Sequence, residues 1–374
     1  LNYSMEIKVS ILRRIFKVYI LLGKNFGTWF SPIIGGLGNL FLKKFIFIGT
    51  IFDYIFFPKL RSIKIKKPIL IVGNPRSGTT FLHHYLTSHG LGTGSQLWQM
   101  IISSIIIQKL VKPFLPLLEK ISPTRHHSTE AHKTSLQSVE TDDASILFRY
   151  LDGFFLYGFI LSWDKDDLFD WVDPNKRDTS DRDFNWLESM WKKVLISNNQ
   201  DRIIGKLFSI SANMPNFLDH FPDAKILYMV RDPLSVIPSG LSLVTGVLDK
   251  KFGFWKLNKD KRNHFIKNLY RALVELLKRF NHDWEHNKID KNKVMIVHFD
   301  RMMNDFDGLM SDIIKFADFE TSEQLIADIK KTAESQRSFK SKHSYDLEKF
   351  GLTEEKIKED CKFIYDSFLS DNKI

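Results

Sequence analysis

Cysteine is almost missing: Cys361 is the single one in 374 residues. One thiol makes no intramolecular disulfide and leaves too few ligands for a cysteine-based zinc site, and such scarcity fits a reducing compartment. In its charged helical setting Cys361 reads as a partly buried thiol rather than a nucleophile. Linkers are missing as well. No long stretch rich in Gly, Ser or Pro and no internal repeat divides the chain, which argues for one main domain. A clean hydrophobic span is also wanting. A membrane-crossing helix needs about twenty mostly apolar residues. The longest uncharged window, Asn25 to Leu42, contains Pro32, four glycines and two asparagines, and Asp53 interrupts the next candidate. Arg13, Arg14, Lys17 and Lys24 leave no apolar core for a cleavable signal sequence.

Net charge is absent from most of the chain. Residues 1–67 carry twelve Lys and Arg against Glu6 and Asp53, which accounts for the whole formal charge of +10. The balanced remainder argues against a nucleic-acid-binding body. Hydrophobic residues at 43% and aromatics at 13% suffice for a buried core. The basic N-terminal region is rich in them, as in "FIFIGTIFDYIFF", Phe45 to Phe57. Basic residues interleaved with Phe, Ile, Leu and Trp29 predict amphipathic segments lying on an anionic membrane surface, with a spanning helix and a basic-rimmed layer packed on the core as the alternatives. A cytoplasmic protein, peripheral at the membrane, is expected.

Apolar runs at Pro68–Gly73, Arg202–Leu207, Ala224–Val230 and Lys293–His298 read as buried strands separated by helical patterns. They predict an α/β fold, a P-loop-type parallel sheet flanked by helices on both faces, preceded by an apolar and basic helical region. The division expected is an N-terminal region over 1–67 and a catalytic domain over 68–374. Residues from about 91 to 200 are too many for a plain crossover and are expected to build the wall of an acceptor pocket.

In "PILIVGNPRSGTTFLHHYL", Pro68 to Leu86, Gly73 and Gly78 have P-loop spacing, yet the lysine position holds Thr79, followed by Thr80. Gly73 ends the strand, Pro75 stiffens the turn, and Gly78 lets the backbone approach a ligand before a helix starts at about Thr79. Amides from Arg76 to Thr80 would face one concavity fit for a phosphate or a group shaped like one. In "FPDAKILYMVRDPLSVIPSGLSL", Phe221 to Leu243, a strand delivers Arg231 at its C-terminal end, and Pro233 fits the first turn of a helix. Ser239 follows about two helical turns later, so a guanidinium and a hydroxyl can share one phosphate.

These motifs carry a family resemblance. "PILIVGNPRSGTTFL" resembles the 5'-phosphosulfate loop of sulfotransferases, and "RDPLSVIPS" resembles their 3'-phosphate motif. "GKLFSISANMPNFLDHFPDAKILYMVRDP" and "KSKHSYDLEKFGLTEEKIKEDCKFIYDSF" are similar to stretches of the bacterial-type branch, so the likeness runs from about Pro68 to Phe368. It implies transfer of a sulfuryl group from 3'-phosphoadenosine 5'-phosphosulfate to a hydroxyl or amine of a small-molecule, lipid or glycan acceptor, without a bridging metal. It further implies that Arg76, Ser77, Gly78, Thr79 and Thr80 hold the phosphosulfate, that Arg231 and Ser239 hold the 3'-phosphate, and that Arg76 is the cation for the leaving group. In "RHHSTEAHKTSLQSVETDDASILF", His132 and Glu140 match the branch's His followed by a Glu opening a helix, although Val139 stands where a proline is expected. Either is the candidate general base. Lys206 reaches the ligands or pairs with an acid. His83 and His84 read as packing or exposed residues, Asp142 and Asp143 as an acidic first helical turn, and Trp163, Phe169, Trp171, Trp186 and Trp191 as core. Lys340, Lys342 and His343 either close on the 3'-phosphate or form a solvated run. The competing readings are a P-loop kinase or NTPase with a degenerate loop, and an inactive membrane-associated binding protein on the same fold.

Overall fold

The computed structural model describes residues 7–122, 135–143, 145, 148–338 and 346–370. Two helices come first, α1 (Ile11–Phe26) and α2 (Ser31–Phe56). Strand β1 (Ile69–Val72) then runs through the Gly-rich loop into α3 (Thr79–Ser88). Further on are α4 (Ile105–Val111), α5 (Leu115–Ile121) and α6 (Ser180–Asn198), followed by β2 (Ile204–Lys206) and β3 (Lys225–Val230). The last labelled elements are α7 (Pro233–Phe252) and β4 (Val294–His298). The chain divides into a helical unit, Leu1–Ile65 with Gly94–Asp201 and Leu243–Leu269, and a sheet unit, Lys66–Thr93 with Arg202–Ser242 and Tyr270–Ile374.

In the sheet unit all four strands are parallel, in the order β2-β1-β3-β4. The run Ile69, Leu70, Ile71 and Val72 is fully buried, as a parallel strand covered on both faces must be. Ile69, Ile71, Leu227, Met229 and Val297 pack on Leu82 and Leu86 of α3 and on Phe306 and Leu309 of a following helix. On the opposite face the ring of Tyr228 stacks on Phe280 at 3.3 Å. The chain passes from β1 to β2 on one side and then from β2 back across β1 to β3 on the other. The loop after β1 therefore opens at the point where the strand order reverses, which is where parallel sheets bind ligands.

The helical unit keeps α1 in place through charge. Arg14 donates to the buried Asp152 at 2.7 Å, and Arg177 and Arg182 each donate to the same carboxylate at 2.9 Å. Trp163, Phe169, Trp171 and Trp191 are core, as read from the sequence.

The sequence reading broke the apolar run at Pro32 and Asp53, but α2 continues through both. Pro32 sits in the first turn, where a missing N–H costs nothing. Asp53 is buried and accepts from the Ser104 hydroxyl at 3.1 Å and from the amides of Ile105 and Ile106 at 3.0 and 2.9 Å, so it caps the N-terminus of α4. Lys193 of α6 stands 3.8 Å from the same carboxylate and donates to the Ser103 carbonyl at 2.7 Å. By length and composition α2 is the one helix among the described residues able to cross a membrane, longer and less interrupted than the sequence reading allowed when it kept a spanning helix as an alternative.

Candidate active site

The loop after β1 is built by close approach. Gly73 has φ +148°, and a Cβ there would lie 2.8 Å from the Met229 carbonyl of β3. Gly78, at φ +95°, begins α3; a Cβ there would lie 2.6 Å from Met302 and 3.0 Å from Phe299. Between them the Ser77 hydroxyl donates to the Asn74 carbonyl at 2.8 Å, and the Asn74 amide donates to the Leu273 carbonyl at 2.9 Å. The base of the loop is thereby fixed.

Arg76 takes a left-handed backbone, φ +78°, which costs a side-chain-bearing residue energy and persists only when neighbours hold it. Two neighbours do. Arg231 donates from Nη1 to the Arg76 carbonyl at 2.9 Å, and Arg76 donates from Nε to the Ser239 hydroxyl at 3.0 Å. The Arg231 guanidinium lies over the Phe299 ring, 3.9 Å from its centroid. From the end of β2, Lys206 donates to the Thr80 hydroxyl at 3.2 Å. A lysine from the next strand thus brings its charge to a loop whose own lysine position is a threonine. Three cations and a helix N-terminus that no side chain caps converge on one loop, a donor set suited to a polyanion.

Two further groups hold these residues. Asp232 accepts from the Leu234 amide at 2.9 Å and from the Tyr365 hydroxyl at 2.6 Å, which fixes the turn that carries Arg231. His83 is fully buried, with Nε2 2.9 Å from the Ile204 carbonyl. Burial, and after it the charge of Lys206, pulls its pKa down to about 3, so it is a neutral post between α3 and β2.

Residues 68–323 match the sulfotransferase family. The chain belongs to that family. Solved structures similar to this sulfotransferase include two from mycobacteria. Sulfotransferase STF1 from Mycobacterium tuberculosis H37Rv is 18% identical, with 94% of this chain and 90% of that one covered and a TM-score of 0.66. Sulfotransferase STF9 from Mycobacterium avium is 17% identical, with 85% and 81% covered and a TM-score of 0.62. At these identities the likeness speaks for the fold. No curated protein matches the chain. Membership makes it a transferase of sulfuryl groups, and the kinase and NTPase reading falls away.

In the sulfotransferase the sheet unit gathers Arg76, Ser77, Gly78, Thr79, Thr80, Arg231 and Ser239 around one loop. Glu140 belongs to the helical unit. It is 4% exposed, accepts from the Ser138 hydroxyl at 2.9 Å, and donates its amide to the Ser95 carbonyl at 3.1 Å. Val139 forms an antiparallel bridge with Gln96, so Glu140 sits in extended backbone and does not itself open a helix as the sequence pattern had it. Asp143 accepts the amide and the hydroxyl of Ser145 at 2.9 and 2.7 Å. His126, His127, His132, Lys340, Lys342 and His343 lie outside the described residues. Cys361 is buried and pushed up to about 12, which suits packing rather than nucleophilic chemistry. Sequence reasoning passed over Asp232, Tyr365 and Phe299. Lys206 was read from the sequence as reaching the ligands or pairing with an acid, and in the structure it meets the loop at Thr80.

Proposed function

We propose that this enzyme moves the sulfuryl group of 3'-phosphoadenosine 5'-phosphosulfate to a hydroxyl, in preference to an amine, of an amphipathic, lipid-linked or carbohydrate acceptor. The observation that carries the reading is the chain of contacts Arg231–Arg76–Ser239 with Lys206 at Thr80, which gathers three cations around one loop and suits a ligand with more than one anionic group. When bound, the donor supplies a sulfuryl group on a phosphate leaving group: the S–O bond to phosphate breaks as the bond to the acceptor oxygen forms.

The residues then divide by chemistry. Thr79, Thr80, Ser77, Gly78 and the start of α3 hold the phosphosulfate end, and Arg231 with Ser239 holds the 3'-phosphate. Arg76 and Lys206 offset the negative charge that grows on the leaving oxygen, an interaction strongest in the transition state. The acceptor proton passes to Glu140 or His132. Burial of the Glu140 carboxylate supports the first; sequence spacing supports the second. Residues 68–374 act as the catalytic domain, and residues 1–67 place the enzyme at the cytoplasmic face of an anionic membrane.

Equilibrium binding tests the donor assignment. Adenosine 3',5'-bisphosphate is expected to bind more tightly than ATP with Mg²⁺, and the reverse order would refute it. With labelled donor, whichever of Glu140→Gln and His132→Asn abolishes the acidic limb of the pH–rate profile marks the base. A parent chain that binds adenosine 3',5'-bisphosphate yet yields no labelled product from polar or lipid extracts would favour the inactive binding protein.

A further inference from the structure

The apolar surface of the helical unit is concentrated on α2 and a neighbouring tip. α2 buries only Ile46, Gly49 and Asp53, three and four residues apart on one strip. That strip meets α4: a Cβ on Gly49 would stand 2.4 Å from Ile107 and 2.6 Å from Ser104. The rest of α2 turns outward, with Ile34, Phe41, Phe47 and Phe56 each more than half exposed. Beside it, Leu110 of α4, Phe114 just before α5 and Leu117 of α5 are exposed at four- and three-residue spacing. The Lys109 ammonium lies 4.7 Å from the ring of Phe57, at the end of α2, so the two patches adjoin. Around them Lys43, Lys44, Lys59, Arg61, Lys109 and Lys112 are exposed. From residue 7 to 65 the only acid is Asp53, which is buried.

A spanning helix would set its two ends on opposite sides of about 30 Å of hydrocarbon. Both ends of α2 are tied to the same unit. At one end a short corner joins it to α1, where Arg14 is paired with Asp152 and the Phe26 ring meets Trp163 at 5.2 Å. Trp29 in that corner packs on Gly23, whose Cβ would clash at 2.4 Å. At the other end Asp53 caps α4. Crossing would pull this buried charged cluster into lipid. A second copy as the cover would press two basic rims together, whereas anionic headgroups complement them.

From this we infer that α2 lies along one leaflet rather than across it, with Leu110, Phe114 and Leu117 as a second insertion point and an anionic phospholipid surface as the partner. The inference rests on the membrane reading of the proposed function and specifies its geometry.

Cys361 is fully buried, so a cysteine added at the surface can be labelled selectively in the full chain. Ile34→Cys, Phe41→Cys, Phe56→Cys and Leu117→Cys, each carrying an environment-sensitive fluorophore, are mixed with phosphatidylcholine–phosphatidylglycerol vesicles and their depths read by lipid-borne quenchers. All four are expected at one shallow depth, about 5–10 Å below the headgroups. L110E together with F114E should weaken partitioning at least about tenfold at unchanged melting temperature. Depths that run through the bilayer centre to the far leaflet would overturn the inference, as would full vesicle binding by the double variant. Labels blind to lipid, with a mass that doubles with concentration, would assign the face to a second copy. A parent chain that ignores anionic vesicles refutes the membrane reading itself; wrong depths in a bound chain refute only the geometry.

Discussion

Arg231 serves the loop, its Nη1 donating to the Arg76 carbonyl, and in the proposed function it also holds the 3'-phosphate. Arg231→Ala should therefore weaken binding of adenosine 3',5'-bisphosphate by about 1.5–3 kcal/mol and that of adenosine 5'-phosphosulfate by less, since only the loop contact is lost to the second ligand. Calorimetry giving equal losses would refute the 3'-phosphate role. His83 makes a pH prediction. Folded His83 stays neutral down to about pH 3, while in the unfolded chain it gains a proton below about 6.5. Its folded pKa is depressed, so the stability is present above about 6.5 and is lost as the pH falls toward 3, by up to about 1.4 kcal/mol per unit. In urea titrations at successive pH values His83→Gln should flatten that fall; an unchanged slope would place the acid sensitivity elsewhere. Arg76, Arg231 and Ser239 were legible because a parallel sheet brings strand ends together and their spacing fits a helix start. The Lys206–Thr80 contact depends on β2 pairing with β1, and the Asp232–Tyr365 bond joins residues 133 apart, so no local pattern announces either.

Among the elements, the four strands were readable to within one or two residues, because fully buried parallel strands are continuous apolar runs bounded by turns. α2 was misread for a physical reason. A charge counts against an apolar helix only if it faces lipid or water, and the sequence does not say that Asp53 faces α4. Burial pulls the ammonium of Lys193 down to about 8, with the charge of Asp53 opposing the shift. Asp53→Ala should cost about 3–5 kcal/mol, because it uncaps α4 and leaves that ammonium buried without its counter-charge. Adding Lys193→Met should recover part of the loss. Chemical denaturation of the two single variants and the double variant measures the coupling, and strict additivity would mean that the pair does not act as a unit.

For the whole molecule, neither compact unit is a continuous piece of chain. Removing residues 1–67 would delete Arg14 from the Asp152 cluster, so truncation tests folding as much as membrane binding, and surface point variants separate the two. The charge asymmetry that suggested a membrane was visible in composition. The division into units was not, because contacts between distant segments decide it. The strand order β2-β1-β3-β4 also has a consequence for synthesis. The ribosome makes α2 before β1, and β1, once made, waits for both of its neighbours, which are encoded far downstream. Long-range pairing of this kind is slow, and for that interval the long apolar helix α2 has no folded body to rest on. Dilution from urea is therefore expected to aggregate much of the protein in buffer and to return more of it folded when anionic vesicles are present from the start. Equal yields with and without vesicles would mean that the nascent helix needs no lipid partner.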